Sequence, residues 1–289
     1  MARFDSRRAP VLRITKEEFR NFINYIQKHC GILLQDKKEY LIESRLKDLV
    51  LQNGCKSFGA LLIKAKTLPH TRLRDRIVDA ITTKETFWFR DGYPFTILKE
   101  KILPEYAEHF QSGKRLKIWS MACSTGQEPY SIAMAIHDFC RKKAAMDPGM
   151  FEILATDISP SALFLAMNGS YDRFTIARGL PTEMRKRHFT QERRVFSISE
   201  EIKKMVTFKK FNLQDSFSGL GRFDVVFCRN VAIYFSADFK KEIFKKIAGV
   251  LKPRGNLILG GAESISHYST IFNRLTYKKG PYYELGRSL

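Results

Sequence analysis

The stretch Trp119-Ser120-Met121-Ala122-Cys123-Ser124-Thr125-Gly126-Gln127-Glu128-Pro129-Tyr130-Ser131 is the most informative part of the chain. It has the composition of a strand that runs into a tight loop of small residues and out into a helix. Gly126 relaxes the backbone of the loop, and Pro129 suits a first helical turn. This is the geometry of a nucleotide-type loop, yet it lacks the G-x-G-x-x-G spacing and the lysine of a phosphate loop, so a pyrophosphate ligand is disfavoured. The next strand ends at Ala155-Thr156-Asp157, where a carboxylate can accept hydrogen bonds from both ribose hydroxyls. Asp157 serves equally well as a cap for the helix that follows. Taken together, the two signals tilt toward an adenosine cofactor bound without diphosphate recognition, which points to S-adenosylmethionine.

The elements that must position these residues change character along the chain. From Thr15 the pattern is helical, with Phe19, Phe22, Ile23 and Ile26 three and four apart, and Thr15 with Glu18 forms a capping box. That helix should end near Gly31. A second run from Lys37 to Gln52 turns Leu41, Ile42, Leu46, Leu49 and Val50 inward and leaves Lys38, Arg45 and Lys47 on or near the outer side. Helical spacing continues through Phe58 to Ile63 and through Leu73 to Ile81. The first eighty or so residues thus describe a small, basic, all-helical domain, taken as 1–83.

Beyond it, strands alternate with helices. Leu116–Ser120, Phe151–Thr156, Phe223–Cys228 and Leu257–Leu259 are expected as strands, and Pro129–Phe139, Pro160–Met167 and Ala237–Leu251 as helices. That alternation implies an α/β domain with a wound, mostly parallel sheet over 84–289, whose ligands bind at the carboxyl ends of the strands. Between Tyr171 and Phe211 the pattern is polar and less regular. A small inserted β-subdomain is expected there, including Val195, Phe196, Ile198, Val206 and Phe208.

Composition narrows the function classes. The 289 residues are 44% hydrophobic, enough for a real core, and no apolar run has the length of a signal peptide or a membrane span, which leads us to expect a cytoplasmic protein. Five scattered cysteines without paired spacings suggest reduced thiols, and the six histidines show no metal-ligand spacing, so no metal is expected. The net charge of +20 favours an anionic partner. It is spread along the chain, +8 over 1–83 and +12 over the rest, with no basic block of the kind found in nucleic-acid tails. An acidic protein surface or simple solvation accounts for it as well.

Ser124 to Ser131, with Thr82-Thr83-Lys84-Glu85-Thr86-Phe87-Trp88-Phe89-Arg90-Asp91 and Phe227-Cys228-Arg229-Asn230-Val231-Ala232-Ile233-Tyr234-Phe235, resembles the CheR family of chemotaxis receptor methyltransferases. Three separated motifs in the same order carry the resemblance, which runs from about Thr15 to the strand at Tyr283. It implies an N-terminal helical domain that docks the receptor, and a Rossmann-like S-adenosylmethionine-dependent methyltransferase domain with an inserted β-subdomain. It further implies cofactor contacts at Lys84, Thr86, Arg90, Gly126, Glu128, Asp157, Asn212, Leu213, Arg229 and Asn230. Lys84 and Gln127 stand where the family often has Asn and Glu, and Lys84 can pair with the methionine carboxylate of the cofactor.

The implied reaction converts glutamate side chains of methyl-accepting chemotaxis receptors to methyl esters and releases S-adenosylhomocysteine. A glutamate with a pKa of about 4.3 is already ionised at neutral pH, so no general base is required. The absence of a histidine or a carboxylate pair from the motifs agrees with that and counts against a hydrolase. Arg90 and Tyr234 are the candidates for orienting the substrate carboxylate or the cofactor, and Phe87, Trp88 and Phe89 are expected to pack. Lys38, Arg45 and Lys47 are candidates for docking the receptor's cytoplasmic helical bundle, which would recruit the enzyme to membrane receptor arrays. Some family members grip a receptor's C-terminal peptide through a glycine-bearing loop of the β-subdomain. Phe189 to Phe196 has no glycine, so independence from such a tether is expected. A nucleic-acid methyltransferase and a degenerate S-adenosylmethionine sensor remain the alternatives, although Arg229-Asn230-Val231-Ala232 is unlike the Asn-Pro-Pro-Tyr motif of many amino-group methylators.

Overall fold

Thr15 and Glu18 do close a capping box: each side chain accepts from the other residue's backbone N–H, at 3.1 and 2.9 Å, and α1 (Lys16–Cys30) ends at Gly31 in the left-handed conformation. The computed structural model describes residues 12–35, 37–67, 71–106, 115–143 and 146–286. The basic segment Met1–Val11 lies outside the described residues. Two compact units divide at Thr82 and Thr83.

In the first unit, α1 is followed by α2 (Glu39–Gln52), α3 (Phe58–Thr67) and α4 (Thr71–Ile81). Phe22, Ile26, Ile42, Leu46, Phe58, Leu61 and Ile77 fill its core. Two polar contacts fix the packing. Glu18 also accepts from Gly59 N at 2.6 Å, tying α1 to α3, and Arg45 Nη1 donates to the Ile81 carbonyl at the end of α4. Arg45 is therefore half-buried and neutralises a helix C-terminus, a structural task that the outward placement read from the sequence did not anticipate.

The second unit begins with the segment from Thr83 through α5 (Tyr93–Ile97) and then winds a seven-stranded sheet. Its strands are β1 (Leu116–Met121), β2 (Phe151–Asp157), β6 (Val206–Lys210), β7 (Phe223–Cys228), β8 (Leu251–Leu259), β9 (Phe272–Tyr277) and β10 (Gly280–Leu285), in the order β6-β2-β1-β7-β8-β10-β9. The five strands from β6 to β8 run parallel, and the hairpin β9–β10 adds antiparallel to β8. The helices α6 (Gln127–Arg141), α7 (Pro160–Asn168) and α11 (Ala237–Val250) make the crossovers. Fully buried Trp119 anchors β1: its Nε1 donates to Thr156 Oγ1 at 2.9 Å, and its ring meets Phe217 edge-on and Phe223 stacked, at 5.0 and 5.4 Å.

Between α7 and β6 lie β3 (Ser170–Asp172), α8 (Arg173–Ala177), α9 (Thr182–His188), β4 (Phe189–Glu192), β5 (Val195–Ile198) and α10 (Glu200–Lys203), with β3-β5-β4 as a separate three-stranded sheet. Val206 and Phe208, grouped with that insertion by their sequence pattern, belong instead to the edge strand of the main sheet, where Val206 pairs with Ile153 and Phe208 with Ala155. Trp88 packs edge-on to Tyr171 and Phe189 at 4.9 and 5.3 Å, so it is a core residue, as expected. No helix of the described residues is long and apolar enough to cross a membrane.

Candidate active site

Strand register sets the site. Met121 is paired with Thr156 on one side and Cys228 on the other, and Cys228 with Leu259, so the loops after β1, β2, β7 and β8 emerge along one edge of the sheet. β1, with β2 and β7 on either side of it, is where the winding reverses, the position at which such sheets bind ligands. Half of the described non-glycine residues with positive φ collect on these loops and the preceding segment: Phe89, Asp91, Ala122, Ser124 and Asn230. Such backbone is held only where its surroundings enforce it.

Arg229 does much of the enforcing. Its side chain is 1% exposed, with Nη1 2.7 Å from Glu128 Oε2 and Nη2 2.6 Å from the Arg90 carbonyl and 2.9 Å from Asp91 Oδ2. Ser120 Oγ donates to the other Glu128 oxygen at 2.7 Å, and Asp91 accepts a further bond from Gly261 N. One guanidinium thus joins the strand β1, the N-terminus of α6, the segment before α5 and the ends of β7 and β8. Burial pushes the Glu128 carboxyl up from its ordinary value, and the Arg229 charge holds it part of the way back. Arg229 Nε is a buried donor with no acceptor among the described residues, the kind of atom that a bound polar group satisfies.

Glu263, absent from the sequence-based candidates, is a second organiser. Its two oxygens accept from Asn230 N, Val231 N, Ile233 N and Gly260 N at 2.7 to 3.3 Å. Gly260 is required for this approach, because a Cβ there would lie 2.7 Å from Asn230 Nδ2 and 2.8 Å from Glu263 Oε2. The one sequence signal was an acid just past a Gly-Gly pair at a strand end.

Asp157 is 9% exposed and bridges two loops, accepting from Ser124 N at 2.8 Å and from Ser159 N at 2.9 Å. It is not the helix cap: Ser159 caps α7 through Ala162 N. With the Ile158 N–H also bonded to this carboxylate, about one of its roughly four acceptor sites stays open, which fits a ribose hydroxyl. Burial raises its pKa, opposed by those bonds and by the Lys84 charge. Lys84 itself is half-buried, and its carbonyl accepts from Ser124 Oγ. After β6, Asn212 closes a turn by accepting from Gln214 N, Leu213 is buried with its carbonyl toward Lys246, and Phe211 N donates to the Asp157 carbonyl. These contacts bring the Asn212 turn beside Asp157.

The remaining candidates separate. Gly126 is buried in the left-handed conformation, and an added Cβ would meet Ala166 Cβ at 3.0 Å and Tyr171 Oη at 3.1 Å, so this glycine permits close packing against α7. Arg90 lies over the Phe87 ring at 5.3 Å and donates to the Glu85 carbonyl. Tyr234 is half-buried in a short 3-10 turn after β7, and nothing among the described residues joins it to the Arg90 side chain. Thr86 is half-buried. Elsewhere, the hairpin β4–β5 turns through Arg193 and Arg194, and a cavity of about 420 Å³ beneath it is lined by Arg173, Arg185, Arg193, Arg194 and Phe196.

Comparison with known proteins agrees with this geometry. The family model for the CheR methyltransferase all-alpha domain matches residues 17–82, and that for the CheR methyltransferase SAM-binding domain matches 84–280. The chain is 45% identical to the chemotaxis protein methyltransferase Cher2 of Pseudomonas putida over 259 residues, 88% of this chain and 94% of that protein. It is 42% identical to the chemotaxis protein methyltransferase of Vibrio anguillarum over 278 residues, 95% of this chain and 99% of that protein. Among solved structures, the DszA carbon methyltransferase covers 88% of this chain and 53% of its own at 16% identity and a TM-score of 0.37, too distant to carry an argument. The chain belongs to the CheR family of S-adenosylmethionine-dependent chemotaxis protein methyltransferases.

Proposed function

We propose that the chain methylates glutamate side-chain carboxylates of chemotaxis receptors, forming methyl esters and releasing S-adenosylhomocysteine. The observation that carries this reading is that four carboxylates at the strand ends are committed: Glu128 and Asp91 to Arg229, Asp157 to Ser124 and Ser159, Glu263 to four backbone N–H groups. None is left as a general base, which suits a nucleophile that arrives ionised. Bound S-adenosylmethionine supplies an electrophilic methyl group on a sulfonium. Asp157 would hold its ribose, Lys84 its carboxylate, and Glu128 with Arg229 and Asn230 the loop around it, while Thr86, Asn212 and Leu213 would border the same space. Arg90 and Tyr234 would orient the incoming glutamate. Positioning of this kind can supply roughly 7–11 kcal/mol of rate acceleration.

In the helical unit, Lys47 is exposed and Lys38 half-exposed, and we assign these two to receptor docking; Arg45 is spent on α4. Charge reversal at Lys38 and Lys47 should weaken receptor methylation without changing S-adenosylhomocysteine affinity. Unchanged methylation at low and moderate salt rejects that role. The two-residue β4–β5 turn supports independence from a C-terminal peptide tether, and the arginine-lined cavity beneath it is the observation against. Receptors with and without their terminal peptide should be methylated equally, and a large difference gives that cavity the tether. Docking to receptors would hold the enzyme at membrane receptor arrays on the cytoplasmic side.

The central test incubates the protein with methyl-labelled S-adenosylmethionine and receptor-containing membranes, then applies mild alkali. Volatile methanol from a receptor-sized band supports the carboxyl ester. Alkali-stable label or label on nucleic acid refutes it, and cofactor binding without any transfer identifies a sensor.

A further inference from the structure

Away from the strand ends, α6 and the inserted subdomain bring together two histidines that lie far apart in sequence. One ring nitrogen each of His137 and His188 and one oxygen of Asp138 lie within 4.8 Å of one another. His188, at the junction of α9 and β4, is 1% exposed, and its Nε2 has no hydrogen-bond partner among the described residues, with Asp138 Oδ1 4.0 Å away. His137 on α6 is 9% exposed; its Nε2 is 2.8 Å from Glu201 Oε1, and its Nδ1 is buried and equally unpartnered. The two rings are perpendicular, with centroids 5.1 Å apart.

Two unsatisfied imidazole nitrogens in one buried corner are unusual, because buried polar atoms almost always find partners. Glu201 explains which lone pair is free. A carboxylate accepts from Nε2–H, and in the neutral imidazole Nδ1 is then the nitrogen with the free lone pair, the arrangement by which a carboxylate orients a metal-bound histidine. We propose that His137, Asp138 and His188 form a site for a divalent transition-metal ion such as zinc, separate from the cofactor site and tying α6 to the inserted subdomain. Two imidazoles and a carboxylate suit such an ion, and three protein ligands leave a position for water. Zinc–ligand bonds of about 2.0–2.1 Å put tetrahedral ligands roughly 3.3 Å apart, so the side chains must close by up to about 1.5 Å. Arg187 opposes the ion, since its Nη1 donates to Asp138 Oδ1, and occupancy requires Asp138 to share its carboxylate. The site escaped the sequence because His188 reaches His137 only through the packing of the insertion on α6.

The test strips the full-length protein with a chelator and titrates it with Co²⁺ and Zn²⁺, following visible cobalt absorption and the thermal midpoint. One saturable ion per chain with nitrogen and oxygen ligation, a raised midpoint, and a loss of affinity of about tenfold or more in both His188→Gln and Asp138→Asn support the site. Asp138→Asn keeps a side chain of the same shape at a half-buried position, so it tests ligation even if His188→Gln fails to fold. No saturable binding, cobalt spectra with thiolate character from the five cysteines, or undiminished binding in Asp138→Asn overturns it.

Discussion

Arg229 is the residue whose replacement discriminates most sharply between an organising role and a surface one. Its guanidinium reaches three acceptors at 2.6 to 2.9 Å from a position 1% exposed to solvent. Arg229→Ala leaves Glu128 buried without its counter-charge, which costs about 3–5 kcal/mol. Arg229→Lys keeps the charge, but a single ammonium cannot span Glu128, the Arg90 carbonyl and Asp91. A charge-assisted bond contributes about 1.5–3 kcal/mol, and Asp91 is open enough for water to replace its share, so the net loss should be about 2 kcal/mol. The two tryptophans of the chain, Trp88 and Trp119, both lie in the same unit as Arg229, so urea unfolding followed by tryptophan fluorescence reports on that unit alone. Calorimetry with S-adenosylhomocysteine gives the binding side, and Glu128→Gln completes a double-mutant cycle with a coupling above about 1 kcal/mol. An Arg229→Ala variant within 1 kcal/mol of the parent, or Lys and Ala variants of equal stability, would refute the reasoning.

Glu263→Ala should leave four backbone N–H groups without their acceptor and release Asn230 from its left-handed conformation. A loss of about 3 kcal/mol and weaker S-adenosylhomocysteine binding are expected in the same assays, and unchanged binding would show that the β7 loop holds itself. Asp157 has its pKa raised by burial, and the cofactor is expected to favour the ionised form. Affinity should therefore fall as pH drops through that raised value, beginning above the range near 3.9 of an ordinary aspartate, and Asp157→Asn should bind weakly with no such slope. In the absence of ligand the sign reverses, because a raised carboxyl pKa makes the folded state hold its proton longer: that stability is present below the unfolded pKa and is lost as pH rises through the folded one. Gly126→Ala combines a strained φ of 95° with contacts at 3.0 and 3.1 Å, and a lowered urea midpoint worth about 3 kcal/mol is expected; a neutral result would mean that α7 yields freely.

What could be seen in the sequence was what local spacing encodes. The capping box at Thr15, the helices α1, α2 and α4 and the strands β1, β2 and β7 follow from short-range periodicity and appear within a residue or two of their expected ends, whereas α3 runs four residues past Ile63 to Thr67. β6 was misplaced because a short alternating run says nothing about which sheet it joins, and Val206 finds its partner Ile153 across a long insertion. β9 escaped because Asn273 and Arg274 make it read as polar loop, while its pairing with β10 supplies the order. The same division holds in the site. Asp157 and Glu128 sit at strand and helix ends that the sequence marks, whereas Glu263 works on Asn230 from another strand end and Arg45 on a carbonyl at the end of another helix.

That division also explains how the site is held open for a ligand. Phe89, Asp91, Ala122, Ser124 and Asn230 all sit in backbone that L-residues rarely adopt, and only Asp91 and Asn230 are of types that tolerate it locally. The compensation is long-range and charged. Arg229 binds the Arg90 carbonyl and the Asp91 carboxylate on either side of the Asp91 backbone, Asp157 takes the N–H of Ser124, and Glu263 takes that of Asn230. Asp91, Ser124 and Asn230 are therefore fixed through residues from other strand ends, so these loops should keep their shape before the cofactor arrives. A site arranged in advance spends less of its binding energy on ordering itself, and more of it remains for alignment. For the proposed transfer to a carboxylate, which needs alignment and no proton transfer, that is where catalytic power has to come from.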